Sequence, residues 1–169
     1  MITIFDKGEI INLKLKGIRK AHQRKYPPEE QRQYYKNKLN RKFKQSMPNK
    51  AWVSDIAYFK VNNTKCYICV VIDLFSRKIL YYEVSTNMSS SIVSTTFLEV
   101  YLRRDSPNNL IFHIDQGAQY TSRIFRKRLY ENNVSQSLSK PGCPYDNAVS
   151  ESFFASLLKK GFIMENMKP

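Results

Sequence analysis

The chain has 169 residues, 42% of them hydrophobic, and a formal net charge of +14. This length can bury one substantial core, but no apolar run approaches the roughly 20 residues of a membrane span. The N-terminal stretch MITIFDKGEI lacks the layout of a signal peptide. We therefore expect a soluble, cytoplasmic protein with no membrane partner.

The positive charge is concentrated near the N-terminus. Residues 1–50 hold 14 Lys and Arg against 4 acidic residues, whereas residues 51–169 hold 14 against 10. We predict a basic arm or linker over residues 1–48 and a globular core over residues 49–169. Such an arm favours a polyanionic partner, most often nucleic acid. A solvated tail or a ribosome-associated arm is the alternative interpretation.

The hydrophobic pattern predicts alternating groups of strands and helices. Three strands over residues 51–61, 65–74 and 79–86 form an antiparallel meander. A helix follows, starting at Ser89 or Ser90, because its apolar positions between 92 and 101 keep helical spacing. The remaining predicted elements are a strand (110–114), a helix (122–132), a short strand (134–138) and a helix from about 147. This order predicts an α/β fold with a mixed sheet and helices on both faces.

Three cysteines are too few for a disulfide framework. Cys66 and Cys69 form a lone C-x-x-C within a predicted strand, where a separation of three residues points them to opposite faces. We expect two core residues here and no zinc site.

Three acidic residues stand where solvated surface charges are not expected. Asp55 lies in the middle of the first strand, on the face of Val53, and Asp115 ends the strand over 110–114. Glu151 falls in the first turns of the last helix, on the side that faces the sheet. If the two strands are neighbours, about 4.8 Å apart, both aspartates reach one point. Oxygen ligands in this number suit Mg²⁺ or Mn²⁺, and two such ions can drive phosphodiester chemistry.

Other candidates have simpler interpretations. Asp73 precedes a turn and is expected to bond the backbone there. Asp146 is better placed to cap the last helix than to bind a metal. His113 has no Ser or Cys nucleophile nearby, so we interpret it as a strand residue and not as a base. Asp55 taken alone is equally well explained as a satisfied core acid.

Four motifs together resemble the transposases of bacterial insertion sequences that carry a retroviral-integrase-like core. The motifs are NKAWVSDIAYF, YICVVIDLFSRKIL, FHIDQGAQYTS and SLSKPGCPYDNAVSESFFASL, and the resemblance covers about residues 36–157. Asp55, Asp115 and, after 35 intervening residues, Glu151 match the family's Asp-Asp-Glu spacing.

The resemblance implies an RNase H-like fold, with a five-stranded mixed sheet of three antiparallel strands followed by two parallel ones. It implies that Asp55, Asp115 and Glu151 are catalytic and bind Mg²⁺ or Mn²⁺, with two ions expected when DNA is bound. The implied activity is cleavage at the ends of a mobile element and joining of a 3′-hydroxyl to target DNA, by a homo-oligomer on the DNA. DNA contacts are expected from a wider set of residues: Arg41, Lys42, Lys44, Lys140, Asn147 and Lys159.

The chain also departs from the family pattern. An upstream helix-turn-helix region is missing, Leu158 is inserted after the ESFF motif and moves the expected lysine to Lys159, and the chain stops at Pro169. We therefore expect a core truncated at both ends, and a frameshift near residue 157 would explain both the inserted leucine and the stop at Pro169. Two alternatives to the transposase stay open: a catalytically impaired DNA-binding remnant that interferes with an intact transposase, and a metal-dependent nuclease.

Overall fold

The computed structural model describes the backbone of residues 4–6, 9–14, 16–20, 36–61, 63–140, 142–159 and 163–165, and the side chains of residues 36–60, 63–140 and 142–156. The strands in these ranges are β1 (Ile4–Asp6), β2 (Glu9–Lys14), β3 (Lys16–Lys20), β4 (Ala51–Val61), β5 (Thr64–Asp73), β6 (Ile79–Ser85), β7 (Ile111–Ile114), β8 (Ser135–Leu138) and β9 (Ile163–Glu165). The α-helices are α1 (Ser90–Arg103), α2 (Arg123–Glu131) and α3 (Ala148–Lys159), and a 3-10 turn (Pro144–Asn147) leads into α3. None of the helices in these ranges is long and apolar enough to cross a bilayer.

The main sheet has the strand order β6-β5-β4-β7-β8. Strands β4, β5 and β6 pair antiparallel, while β7 pairs parallel to both β4 and β8. This confirms the predicted mixed sheet of three antiparallel strands followed by two parallel ones. Strand β3 also pairs with the distal part of β4, and β1, β2 and β9 form a separate small sheet.

Helices cover both faces of this sheet, as predicted. Alternation along β4 sends Trp52 to one face and Val53 to the other. The face of Trp52 packs against α1 and α2 around Phe97, whose ring centroid lies 5.3 Å from that of Phe112. The face of Val53 packs against Phe154 of α3. Each face therefore has its own hydrophobic cluster.

The predicted elements are all observed, whereas none of β1, β2, β3 and β9 is predicted from the sequence. Each predicted strand and helix is present, with ends that differ by one or two residues where helix and strand termini are hardest to place. Cys66 belongs to the cluster under α3 and Cys69 to the cluster under α1, which confirms that the two thiols point to opposite faces.

Residues 36–43 of the predicted arm pack onto the core. Leu39 is buried in the cluster under α3, and its backbone N–H donates to the Ser137 hydroxyl at 2.9 Å. The N–H of Leu138 donates to the carbonyl of Lys36 at 3.1 Å. Residues 21–35 of the arm lie outside the described residues. The division at residues 48 and 49 stays a prediction, with the addition that residues 36–43 contact the core.

Candidate active site

The parallel pairing of β4 with β7 carries two of the predicted acids toward the same edge of the sheet. The last pair in the observed register is Val53 with His113, and Asp55 and Asp115 each follow these partners by two residues. Asp115 comes directly after the end of β7 at Ile114. Extended by two residues, this register would set Asp115 beside Asp55, with the strands about 4.8 Å apart and both carboxylates on the face that α3 covers.

Asp55 is a buried carboxylate, 4% exposed, that accepts hydrogen bonds from the main chain and from a side chain of another element. Its Oδ1 accepts the backbone N–H of Ile56 at 2.9 Å, and its Oδ2 accepts the side-chain amide of Asn147 at 3.1 Å. Asn147 ends the 3-10 turn before α3. The start of that helix is thus bonded directly to the middle of β4.

Asp115 is only partly buried and folds back over the loop that follows it. The backbone N–H of Gly117 donates to its Oδ1 at 2.8 Å. A Cβ added at Gly117 would lie 2.9 Å from the same oxygen, closer than such atoms pack in proteins. Glycine at 117 therefore gives Asp115 the space it occupies.

Tyr120 joins the two acid-bearing elements from the opposite face of the sheet. Its hydroxyl lies 2.8 Å from Ser54 Oγ and 3.6 Å from Cys69 Sγ. Burial raises the pKa of Tyr120 well above its ordinary value, and the electrostatic influence of the nearby acidic groups Cys69, Asp55 and Asp115 raises it further. Both aspartates therefore lie within electrostatic range of one buried phenol. Sequence reasoning missed Tyr120 and Ser54, although Tyr120 stands within the FHIDQGAQYTS motif.

Glu151 lies in the first turn of α3 and is partly buried. It is four residues beyond Asn147, which is close to one helical turn. Phe154 of the same helix is buried against the sheet, and α3 contacts β4. The helix therefore presents Glu151 within one turn of the residue that bonds Asp55.

These three carboxylates supply hard oxygen donors, which suit Mg²⁺ or Mn²⁺. The Oδ1 atom of Asn147, beside Asp55, is buried and has no hydrogen-bond partner. Across the side chains that the structure describes, no three or more His, Cys, Asp or Glu form a ready metal cluster. The donor chemistry thus fits a divalent ion, while a closed ligand set is not assembled.

Asp73 and His113 have the structural roles expected of them. Asp73 is buried and accepts the N–H of Asn49 at 3.1 Å and both the N–H and hydroxyl of Ser76 at 2.8 Å. His113 is fully buried, with Nδ1 2.9 Å from Ser137 Oγ and Nε2 2.8 Å from the carbonyl oxygen of Asp146. Burial lowers the pKa of His113. A neutral ring that accepts from Ser137 and donates to Asp146 satisfies both bonds.

Asp146 differs from the expected helix cap. It lies within the 3-10 turn, and its carboxylate accepts hydrogen bonds from Asn37, Arg41 and the backbone of Lys140. Two of these partners are more than 100 residues away along the chain, so no local sequence signal indicates them.

The residues expected to contact DNA are in different situations. Lys42, Lys44 and Lys140 are exposed. Arg41 is half exposed and engaged with Asp146, and Asn147 is buried against Asp55. The side chain of Lys159 lies outside the described residues.

Comparison with known proteins shows the family to which the chain belongs. The model of the integrase core domain matches residues 45–144, and the chain belongs to that family. It is similar to transposases of bacterial insertion sequences: 36% identical over 150 residues to the transposase InsF of IS3A from Escherichia coli K12, and 38% identical over 124 residues to the IS904 transposase of Lactococcus lactis. These matches cover 86% and 73% of this chain, but only 52% and 49% of the relatives. The chain thus spans about half the length of the curated relatives it matches.

Solved integrase structures share the fold. A chain of the simian T-cell lymphotropic virus intasome aligns with a TM-score of 0.62 and 23% identity, covering 69% of this chain and 42% of that one. The HTLV-2 integrase catalytic core, solved with magnesium, aligns with a TM-score of 0.53 and 19% identity, covering 68% and 73%. The predicted RNase H-like integrase fold is confirmed.

Proposed function

We propose that this chain is the catalytic core of a transposase, a metal-dependent enzyme that cuts DNA at the ends of a mobile element and joins a 3′-hydroxyl to target DNA. The observation that carries the proposal is the parallel β4–β7 pairing at Val53 and His113, because Asp55 and Asp115 follow these partners by two residues each. Helix α3, which bears Glu151, contacts β4. Family membership and the named relatives support the same reaction.

Asp55, Asp115 and Glu151 would hold Mg²⁺ or Mn²⁺, with two ions when DNA is present. The bound ions supply activation of the attacking hydroxyl or water and stabilisation of the leaving oxygen. The protein's own task is positioning. The N–H of Ile56 and the amide of Asn147 fix the Asp55 carboxylate, and the N–H of Gly117 fixes that of Asp115.

DNA is the proposed substrate, both as element ends and as target. The net charge of +14 favours a polyanion, because Lys and Arg that neutralise phosphates release counterions. Exposed Lys42, Lys44 and Lys140 would supply such contacts, with Arg41, Asn147 and Lys159 as further candidates. A homo-oligomer on DNA is proposed by analogy with the intasome neighbour.

A second candidate is a DNA-binding chain without catalysis that interferes with an intact transposase. It is favoured by one observation: the described side chains hold no assembled cluster of three metal-binding residues. A metal-dependent nuclease that cuts without rejoining is a third candidate, since the same acids would serve hydrolysis.

A joining assay separates the three. The 169-residue chain is incubated with supercoiled plasmid and pre-cut duplex oligonucleotides that carry the terminal sequences of the encoding element, in Mg²⁺ or Mn²⁺. Asp115→Asn removes one proposed ligand, and Asp105→Asn, at an exposed site past α1, is the matched control.

Joined products from the wild type and Asp105→Asn that are lost in Asp115→Asn support the transposase. Shortened oligonucleotides without joining support the nuclease. A retarded DNA band without products in either Mg²⁺ or Mn²⁺ supports the DNA-binding chain without catalysis.

A further inference from the structure

The carboxylate of Asp146 accepts hydrogen bonds from two separate parts of the chain. It is 2% exposed, and its carboxylate accepts Arg41 Nε at 2.6 Å, Asn37 Nδ2 at 2.9 Å and the N–H of Lys140 at 3.0 Å. Asn37 and Arg41 precede the sheet, whereas Lys140 precedes α3. Burial alone would raise the pKa of Asp146, but these donors, led by the Lys140 N–H, lower it overall. The buried carboxylate therefore remains charged and holds the two segments together.

This cluster is bonded to the neighbours of all three proposed catalytic acids. The carbonyl oxygen of Asp146 accepts from His113, two residues before Asp115. The next residue, Asn147, donates to Asp55. Glu151 follows Asn147 by about one turn of α3. A shift of the Asp146 peptide would thus reach Asp55 through the Asn147 hydrogen bond and Glu151 through about one helical turn. It would reach Asp115 through the His113 ring and the two residues that follow it.

Residues 36–43, called the pre-core segment below, include two residues in an unfavourable backbone conformation. Asn40 and Arg41 both have positive φ, at 45° and 60°. Non-glycine residues adopt this region at a cost of roughly 1 kcal/mol or more, and they keep it where surrounding contacts fix it. Arg41 has such contacts, because it bonds Asp146 and its guanidinium carbon lies 5.9 Å from the ring centroid of Tyr145.

We propose that Asp146 is a positioning residue. Its ion pair with Arg41, called the latch below, holds the 3-10 turn so that Asn147 and Glu151 face Asp55 and Asp115. Arg41 then helps to position the active-site residues through Asp146, in addition to any contact with DNA. This inference rests on the proposed catalytic role of the three acids. It assigns a function in catalysis to a segment that precedes the matched integrase core at residues 45–144.

The role goes beyond general stability. Arg41 is 52% exposed, so solvent screens its side of the pair, and Asn37 and the Lys140 N–H still donate to the buried Asp146 carboxylate when Arg41 alone is replaced. A displacement of about 1 Å in a catalytic group, in contrast, lowers a reaction rate by roughly 100-fold. Loss of the latch is therefore expected to affect turnover far more than folding.

The test compares Arg41→Met with Arg77→Met in the full chain. Arg77 is a matched control because its guanidinium also ties the pre-core segment to the core, donating to the carbonyl of Phe43 at 2.9 Å without contacting Asp146. We expect Arg41→Met to lower kcat for joining, measured at saturating DNA, by roughly tenfold to 100-fold, with Tm nearly unchanged. Arg77→Met is expected to keep wild-type kcat, and Arg41→Lys to recover part of the loss.

A measurement independent of activity accompanies the kinetics. The side-chain amide resonance of Asn147, assigned by its absence in Asn147→Asp, reports the bond to Asp55. It is expected to shift in Arg41→Met and to stay in place in Arg77→Met. An unmoved resonance in Arg41→Met overturns the latch, and so does a kcat loss that Arg77→Met shares or that a fall in Tm explains. If the wild type joins no DNA, the proposed function fails, while the resonance still decides whether Arg41 and Asp146 position Asn147.

Discussion

The backbone N–H of Gly117 donates to Oδ1 of Asp115 at 2.8 Å, and a Cβ on Gly117 would lie 2.9 Å from that same oxygen. A side chain at position 117 and the observed position of the Asp115 carboxylate therefore exclude each other. The carboxylate is the end of a side chain that can rotate, so the conflict is expected to move Asp115 and leave the fold intact.

We predict that Gly117→Ala lowers the joining rate by roughly tenfold to 100-fold, because the displaced carboxylate no longer meets the bound metal. Tm is expected to stay close to that of the wild type. The measurement is single-turnover joining in Mg²⁺, with thermal unfolding alongside. Ala118→Ser, which adds one atom at the neighbouring exposed position, is the control and should react as the wild type does. Wild-type rates in Gly117→Ala would contradict the prediction.

Asn147 gives a second prediction, because its amide donates to the buried Asp55 carboxylate. Groups that hold a metal ligand in place commonly contribute 10- to 100-fold to metal affinity or activity. We expect Asn147→Ala to raise the Mg²⁺ concentration needed for half-maximal joining by about tenfold. Asn147→Asp should lose more activity at the metal concentrations used for the wild type, because it sets a like charge beside Asp55.

The measurement for Asn147 is a Mg²⁺ titration of the joining reaction. Asn133→Asp, at an exposed position after α2, makes the same chemical change away from the acids. A half-maximal Mg²⁺ concentration that is equal in Asn147→Ala and the wild type would show that the bond to Asp55 has no part in metal use.

Tyr120 gives a prediction about stability. Removal of its hydroxyl in Tyr120→Phe takes away the hydrogen bond to the buried Ser54 Oγ. Ser54 Oγ keeps only its contact with Cys69 Sγ at 3.6 Å, and sulfur is a weak hydrogen-bond partner. A typical hydrogen bond contributes about 0.5–1.5 kcal/mol, so the free energy of unfolding should fall by about that amount. Urea denaturation measures it. Tyr130→Phe, at a side chain that is 83% exposed, should change stability by less than about 0.5 kcal/mol, and equal losses in both variants would contradict the assignment.

His113 predicts how stability depends on pH. Its folded-state pKa is lowered, first of all by burial, so the unfolded chain binds a proton at a higher pH than the folded chain does. Stability is then fully present above the unfolded pKa of about 6.5 and falls as the pH drops through that value toward the folded pKa. Tm measured between pH 8 and pH 5 should show this fall in the wild type. His113→Asn, although less stable, should lack that component of the fall, and parallel curves would contradict the prediction.

The sequence predicted what depends on local patterns. Alternation along residues 51–61 placed Asp55 on the face of Val53, and helical spacing placed Glu151 on the side of α3 near the sheet. The order of strands and helices gave the mixed sheet, which the structure confirms. The triad itself stays a prediction, supported by register and family.

What the sequence could not predict depends on contacts between distant residues. Arg41 looked like one of many phosphate-binding cations, and its partner Asp146 lies 105 residues away. Asp146 looked like a helix cap, because Asp before a helix usually has that role. The bond between Tyr120 and Ser54 likewise requires knowing that the loop after β7 crosses β4. The periodicity of hydrophobic residues and the spacing of motifs carry no information on which distant side chains bond to each other.

The position of residues 36–43 decides where a shorter fragment of this protein can begin. A fragment cut at residue 45, where the family match starts, would keep Asp146 but remove Asn37, Leu39 and Arg41. It would lose a buried leucine and two of the three donors that hold a buried carboxylate. A fragment of this chain that is meant to fold by itself, alone or as part of a fusion protein, should therefore begin upstream of Lys36.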